Sequence, residues 1–196
     1  WLIHRCIRWH QNPNYKEALW MGFAIGLLTL IRPIHLMAVL IPLLFGAFQS
    51  DKWKQLLRFW PHIIVMALTI AICLLPQLVY WKYLSGNWLV YTYQDEHFFF
   101  NDPMILKGLL GFRKGWLIYS PIMLLSIIGM FLVRRYLRDF TLIYLTLLPC
   151  YVYVVFSWWC WWYGGSFGSR PMIDLLPLLV FPLAGLFQLL HERFKR

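Results

Sequence analysis

Residues 59–81 read FWPHIIVMALTIAICLLPQLVYW and contain no Lys, Arg, Asp or Glu. A helix of about 20 predominantly apolar residues crosses the bilayer core of about 30 Å, and this stretch is long enough to do so. Residues 116–133, 140–162 and 171–190 form further apolar runs without an internal Lys or Arg. The chain is therefore predicted to be an all-α membrane protein.

The composition of the 196-residue chain supports the same prediction. Hydrophobic residues make up 61%, aromatic residues 19% and charged residues 13%, whereas soluble proteins average about 45 to 50% apolar and about 25% charged residues. This excludes a cytosolic enzyme, a disordered chain, a collagen and a coiled coil. The formal net charge of +10 is interpreted as a sign of membrane topology, and no nucleic acid is expected as a partner.

Arg32 and Pro33 interrupt the apolar run over residues 18–48. An Arg is costly at the bilayer centre, and Pro removes a backbone donor and breaks the preceding helix. We therefore predict two short helices, residues 18–31 and 33–48, that meet either at one membrane face or in a protein-lined cavity near it. The chain then forms a polytopic bundle of about six transmembrane helices with loops on the outer face.

The distribution of basic residues predicts the topology, because Lys and Arg in short loops are retained on the cytoplasmic side. Alternating the loops places twelve of the 18 Lys and Arg residues on the cytoplasmic side. The six on the outer side are Arg32, Lys82, Lys107, Arg113, Lys114 and Arg170. Both ends of the sequence are then cytoplasmic, and the outer face receives residues 82–114 and the turn at 164–170.

The sequence begins with Trp1, and residues 1–9 contain Arg5 and Arg8 without the features of a signal peptide. We expect residues 1–196 to form a single transmembrane domain. We also expect this domain to be a fragment of a longer chain that has further N-terminal helices.

Two outer helix starts place an Arg directly before a Pro, at Arg32-Pro33 and Arg170-Pro171. Pro is favoured at the first helical position, where free N–H groups and the helix dipole attract anions. The planar guanidinium also suits phosphate. Because Lys114 precedes a third helix start, we predict that Arg32, Lys114 and Arg170 bind a phosphate. For Arg32, a structural Arg that extends to the interface is an equal alternative.

The turn over residues 163–170 reads YGGSFGSR. Its glycines permit positive φ angles and a close backbone approach to a ligand. These glycines are Gly164, Gly165 and Gly168. Trp161, Trp162 and Tyr163 present aromatic faces that suit stacking on a sugar or holding acyl chains. The alternative is that the glycines only turn the chain and the aromatic residues only anchor it.

Acidic residues provide the remaining candidates. Asp95, Glu96 and Asp102 lie in the polar loop, where carboxylates serve either as a general base or as ligands of a divalent cation. Their spacing matches no dedicated metal loop, so solvated loop acids are the alternative, and no cofactor or metal is expected. Asp174 follows Arg170 by four residues and is interpreted as its structural partner.

Three stretches carry a resemblance to a known superfamily: GFAIGLLTLIRP at residues 22–33, GFRKGWLIYSP at 111–121 and WWYGGSFGSRPMIDLLP at 161–177. Together they resemble bacterial membrane glycosyltransferases of the GT-C superfamily, relatives of the protein O-mannosyltransferases and aminoarabinose transferases. The resemblance implies a multi-pass protein of the bacterial inner membrane and sugar transfer from a polyprenyl-phosphate donor at the non-cytoplasmic face.

The resemblance also implies that the acidic catalytic base lies in a first outer loop, upstream of this chain, so that the fragment alone is inactive. Two other functions remain open at this point. One is a transporter or flippase of an anionic lipid, and the other is a noncatalytic membrane assembly subunit. A transporter is expected to show matched broken helices in two repeats, and only the break at Arg32 has that character.

Overall fold

The computed structural model describes residues 1–93, 95–134 and 136–195. The described part of the chain is all-helical, with 71% of the described residues in helices and no strand. Two compact units make up the fold, Trp1–Gln94 and Asp95–Arg196.

Among the described residues, three helical stretches are long and apolar enough to cross a membrane, as the sequence predicts for these regions. They are Trp60–Ser85, Arg138–Phe156 and Arg170–Phe194. Two shorter apolar helical stretches are Pro33–Leu44 and Ile122–Leu132. By length and composition these helices suit a membrane protein, whereas the number of spans stays a prediction.

The first unit contains five α-helices and one 3₁₀ segment. They are α1 (Leu2–Gln11), α2 (Tyr15–Ile31), the 3₁₀ segment Pro33–Val39, α3 (Leu40–Leu44), α4 (Lys52–Arg58) and α5 (Trp60–Ser85). Asn14 caps α2, because its side chain accepts a hydrogen bond of 2.9 Å from the Glu17 amide. Gly22 lies so close to Met66 of α5 that an added Cβ would collide with the backbone. Small residues thus allow α2 and α5 to pack closely.

The predicted break at Arg32 is confirmed, because α2 ends at Ile31 and Arg32 has an extended backbone with φ −149°. The segment after the break differs from the prediction. Residues 33–39 form a 3₁₀ helix, and the following α-helix ends at Leu44 instead of continuing to residue 48. Gly46, with φ +68°, turns the chain soon after this end.

The second unit contains five α-helices and two 3₁₀ segments. They are α6 (Ile105–Leu110), α7 (Trp116–Tyr119), α8 (Ile122–Leu132), the 3₁₀ segment Arg138–Phe140, α9 (Thr141–Phe156), the 3₁₀ segment Arg170–Leu175 and α10 (Leu176–Phe194). The Tyr144 hydroxyl of α9 donates to the Leu178 carbonyl of α10 at 3.0 Å. Gly129 brings α8 against the Pro182 backbone of α10, so α10 packs against both other helices.

In two apolar runs of the second unit, the helices are shorter than the run of sequence that contains them. The run over 116–133 is divided at Ser120 and Pro121, since Pro has no N–H and disfavours helical geometry in the residue before it. The run over 140–162 is helical only to Phe156. The tryptophans that follow are therefore outside the helix: Trp158 forms an isolated bridge, and Trp159, Trp161 and Trp162 lie in turns.

The polar loop after residue 94 is attached to the end of α9 through the backbone. The amides of Phe99, Met104 and Trp159 donate to the carbonyls of Ser157 (2.6 Å), Phe156 (2.9 Å) and His97 (3.1 Å), respectively. Phe98 and Trp158 form an isolated antiparallel bridge at the same place. The loop is thus an ordered part of the second unit.

Candidate functional site

The three predicted phosphate-binding cations lie in different units. Arg32 belongs to the first unit, where its amide donates to the Leu28 carbonyl at 3.1 Å and its carbonyl accepts from the His35 amide at 2.9 Å. Lys114 and Arg170 belong to the second unit. The joint binding of one phosphate by all three stays a prediction, and the site is developed here from the second unit alone.

Two segments of the second unit contact each other beside Lys114. We name residues 111–119 the basic segment and residues 162–170 the glycine turn. The guanidinium carbon of Arg113 lies 3.9 Å from the ring centroid of Trp162, in cation–π geometry. At the other end, the rings of Tyr119 and Phe167 meet edge to face, with centroids 5.1 Å apart. The glycine turn is therefore held against the basic segment at two points.

Three buried polar atoms on these two segments have no hydrogen-bond partner among the described residues. They are Lys114 Nζ, Ser166 Oγ and Ser169 Oγ. Ser169 is only 7% exposed. A buried ammonium or hydroxyl without a partner is unfavourable, and most such groups in proteins are paired. The two segments thus carry one positive charge and two hydroxyl donors that have no acceptor among the described residues, and groups of this kind are suited to binding an anion.

The backbone of the glycine turn agrees in part with the prediction. Gly164 and Gly168 have φ of +74° and +58°, so the prediction of positive φ is confirmed for both. Gly165 is not among the residues with positive φ. At Gly168 an added Cβ would also lie 3.1 Å from the Tyr119 Cβ. Gly168 is therefore required both by its conformation and by its contact with the basic segment.

Arg170 is exposed and begins the 3₁₀ segment that leads into α10. Asp174, its predicted partner, lies with its Oδ2 3.0 Å from the Tyr151 hydroxyl, which is also 3.2 Å from the Pro171 carbonyl. Arg170 makes no ion pair within the described ranges. The structural contact expected for Asp174 is thus made with Tyr151 of α9 and not with Arg170.

The predicted stacking residues have neighbours that fix the turn. Arg113 covers one face of Trp162, and Trp161 packs edge-on against Trp162 with centroids 5.7 Å apart. The Tyr163 hydroxyl donates to the Val155 carbonyl at 2.6 Å. Phe98 and Phe100, which the sequence reasoning did not single out, stack in parallel at 5.1 Å and are both partly exposed. The three consecutive phenylalanines at residues 98–100 are the sequence feature that could have identified them.

The acidic candidates lie in the exposed part of the loop. Asp95, Glu96 and Asp102 are all exposed, and His97 Nδ1 donates to the Asp95 carbonyl at 2.8 Å. In the parts of the chain that the structure describes, no group of three His, Cys, Asp or Glu side chains is placed to hold a metal ion. Their role as a general base stays a prediction.

The first unit contains a second buried polar group that the sequence reasoning missed. Lys52, only 2% exposed, donates to His10 Nε2 and to the Pro42 carbonyl at 3.3 Å. His10 Nδ1 donates to the Cys6 carbonyl at 2.8 Å. Burial raises the pKa of the Cys6 thiol to about 12, an effect that the nearby Lys52 charge only partly opposes. This group joins α1, α3 and α4.

Glu17 holds α1 to the start of α2. Its carboxylate, 2% exposed, lies 3.1 Å from the Arg5 guanidinium and 3.3 Å from that of Arg8.

Comparison with known proteins adds no assignment, because no protein-family model, curated protein or solved structure matches the chain.

Proposed function

We propose that this chain belongs to a membrane-embedded glycosyltransferase that uses a polyprenyl-phosphate sugar as donor. The observation that carries the proposal is the buried Lys114 ammonium, which has no hydrogen-bond partner within the described ranges and lies next to a glycine turn. An anionic group at the head of a membrane lipid would supply the missing acceptor. The resemblance of three sequence stretches to GT-C enzymes supports the choice of a sugar-bearing phosphate among such lipids.

In the proposed reaction the bond between the sugar C1 and the donor phosphate oxygen breaks, and C1 forms a new bond to the acceptor hydroxyl oxygen. The acceptor hydroxyl proton passes to a general base, and the electron pair of the broken bond remains on the phosphate. Lys114 would neutralise this growing negative charge, and Ser166 and Ser169 would donate hydrogen bonds to the phosphate oxygens. Fixed donors in a site with little water are effective for this purpose.

Arg170 would bind the same phosphate from the exposed side. It begins a helical stretch whose first amides carry partial positive charge. Its planar guanidinium permits two parallel hydrogen bonds. Arg170→Ala should therefore weaken donor binding, and Arg170→Lys should restore only part of it, because an ammonium is a point charge.

The proposal includes a polytopic bundle of about six spans, with both ends of the sequence cytoplasmic and residues 82–114 outside. Single cysteines at Ser85 and Gly165, two exposed positions, in a cysteine-free background should react with a membrane-impermeant thiol reagent in intact cells. A cysteine at Ser50 should not react. Labelling at Ser50 with protection at Ser85 would reverse the orientation.

The central experiment measures donor binding by the purified full chain in detergent, with a polyprenyl-phosphate sugar as ligand and the free polyprenol as the uncharged comparison. Lys114→Met should weaken binding of the phosphate lipid about 10- to 150-fold, since a hydrogen bond to a charged group contributes about 1.5 to 3 kcal/mol. Lys107→Met, which removes an exposed lysine of α6, serves as the matched control. Equal affinity of wild type and Lys114→Met would contradict the proposed site.

Transfer itself is tested with radiolabelled donor in membranes that contain the full-length protein. Incorporation of label into a membrane or envelope acceptor, lost in Lys114→Met and retained in Lys107→Met, is the expected result. Donor binding without any transfer would support a binding or transport role for the same site instead.

A further inference from the structure

The helix α4 lies directly before a helix that is long enough to cross a membrane. Only Phe59 separates α4 (Lys52–Arg58) from α5 (Trp60–Ser85). When α5 crosses a bilayer, its first turn lies at one bilayer surface. The short α4 must then lie within reach of the lipid headgroups of that leaflet.

The exposed side chains of α4 have the composition of an interfacial helix. Trp53 and Leu57, four residues apart, are 53% and 76% exposed. Lys54 and Arg58, also four residues apart, are both exposed. Residues with this spacing lie on the same side of a helix. The helix thus presents an apolar pair and a cationic pair side by side, the pattern of helices that lie in the headgroup region.

In the part of the chain that the structure describes, the cationic pair has little neutralising charge. Lys54 lies 3.7 Å from Asp51, and both side chains are more than 80% exposed, so this ion pair contributes little. The Arg58 guanidinium lies over the Phe59 ring at 5.6 Å, an arrangement that leaves its hydrogen-bond donors available for a phosphate. A surface with two available cations and two apolar side chains is complementary to an anionic phospholipid.

Contacts of α4 with α1 and α3 also hold this surface in place. The buried Lys52 ammonium binds His10 of α1 and the Pro42 carbonyl of α3. Gln55 donates to the His10 carbonyl at 3.2 Å. Because these contacts hold α4 against two other helices, its exposed side needs little ordering when a lipid binds.

We propose that α4 is a binding site for anionic phospholipid headgroups, independent of the sugar donor site in the second unit. Lys54 and Arg58 bind the lipid phosphate, and Trp53 and Leu57 insert between the glycerol backbones and the first acyl carbons. Each basic residue near an anionic membrane surface contributes a similar increment to binding. The site therefore discriminates anionic from zwitterionic lipids.

The test uses the full chain, purified in detergent and offered equimolar phosphatidylglycerol and phosphatidylcholine, with bound lipids counted by native mass spectrometry. The wild-type protein should retain phosphatidylglycerol preferentially. The double variant Lys54→Gln/Arg58→Gln should bind it about 30-fold more weakly. Lys82→Gln/Lys107→Gln, which also removes two exposed positive charges, is the matched control and should keep the preference.

Two further measurements complete the test. High salt should reduce the wild-type preference, because exposed charges are screened, and should leave the double variant unaffected. Leu57→Ser should weaken binding of both lipids alike, since it removes an apolar contact. No preference in the wild-type protein, an unchanged preference in the double variant, or an equal loss in the control would each overturn the proposal.

Discussion

The two units each bury a lysine, and the two lysines have opposite surroundings. Lys52 of the first unit lies among acceptors that the chain supplies, His10 Nε2 and the Pro42 carbonyl. Lys114 of the second unit has a buried Nζ without an acceptor among the described residues. The same residue type thus completes a packed helix junction in one unit and leaves an unsatisfied charge in the other.

The difference separates a structural role from a binding role. A buried charge that is paired holds helices together, and its loss leaves its partners unsatisfied. A buried charge that is unpaired destabilises the fold until a ligand arrives. Stability and ligand affinity should therefore respond in opposite ways to substitution of the two lysines.

The largest expected effect on stability follows from this contrast. Lys52→Ala should lower the free energy of unfolding by about 2 to 3 kcal/mol, because it leaves the buried His10 nitrogen and the Pro42 carbonyl without a donor. Lys114→Ala should change it little or raise it slightly. Chemical denaturation of both variants in the same detergent measures the two values. A larger loss for Lys114→Ala would remove the distinction between the two sites.

The glycine turn offers a second contrast, within the site itself. Gly168→Ala should destabilise the second unit by about 1 to 2 kcal/mol, because its φ of +58° is unfavourable for residues with a Cβ. Gly165→Ala should have almost no effect, since an added Cβ there meets nothing within 4 Å. Thermal unfolding of the two variants provides the comparison. Equal melting temperatures would show that the turn is not fixed against Tyr119.

The two serines should affect affinity and leave stability unchanged. Ser166→Ala and Ser169→Ala each remove a hydroxyl that has no partner in the described part of the chain, so folding should be unaffected. Binding of the polyprenyl-phosphate donor should weaken about five- to tenfold for each, as expected for loss of one hydrogen bond. Ser85→Ala, in the exposed end of α5, is the control. Unaltered affinity in both serine variants would show that neither hydroxyl binds the phosphate and that Lys114 alone remains of the three groups.

The effect that is smallest at neutral pH concerns Cys6 beside Lys52, because it appears only at alkaline pH. Burial raises the pKa of its thiol from 9.0 to about 12, so the folded protein keeps a proton that the unfolded chain releases. The contribution of Cys6 to stability is complete below pH 9 and is lost as the pH rises toward 12. Comparing wild type and Cys6→Ala across this pH range isolates the effect. Parallel stability curves would show that the thiol is not buried in solution.

The apolar runs and the break at Arg32 could be predicted from the sequence, because run length and an Arg-Pro pair act locally. The helix ends could not be predicted equally well. Residues 157–162 are uncharged like the helix before them, yet α9 ends at Phe156, where the backbone pairs with the polar loop. Such pairing depends on residues more than 50 positions away and has no local signature.

The candidate site could likewise be predicted from the sequence only in part. Its glycine turn and Lys114 could be found from residue type and position. Ser166 and Ser169 were visible in the same turn, but only burial distinguishes an unpaired hydroxyl from a solvated one. The pairing of Asp174 with Tyr151 instead of Arg170 depends on how α9 packs against the start of the last helical stretch, which spacing along one helix cannot reveal.

The attachment of the polar loop to α9 has a consequence for the timescale of its motion. The amides of Phe99, Met104 and Trp159 exchange with solvent only when the loop separates from the helix end. Their deuterium uptake should therefore be slow and should share one rate, as expected for a cooperative opening unit. Neighbouring loop amides should exchange rapidly. The exchange rate of these three amide protons thus reports how often the loop detaches from α9.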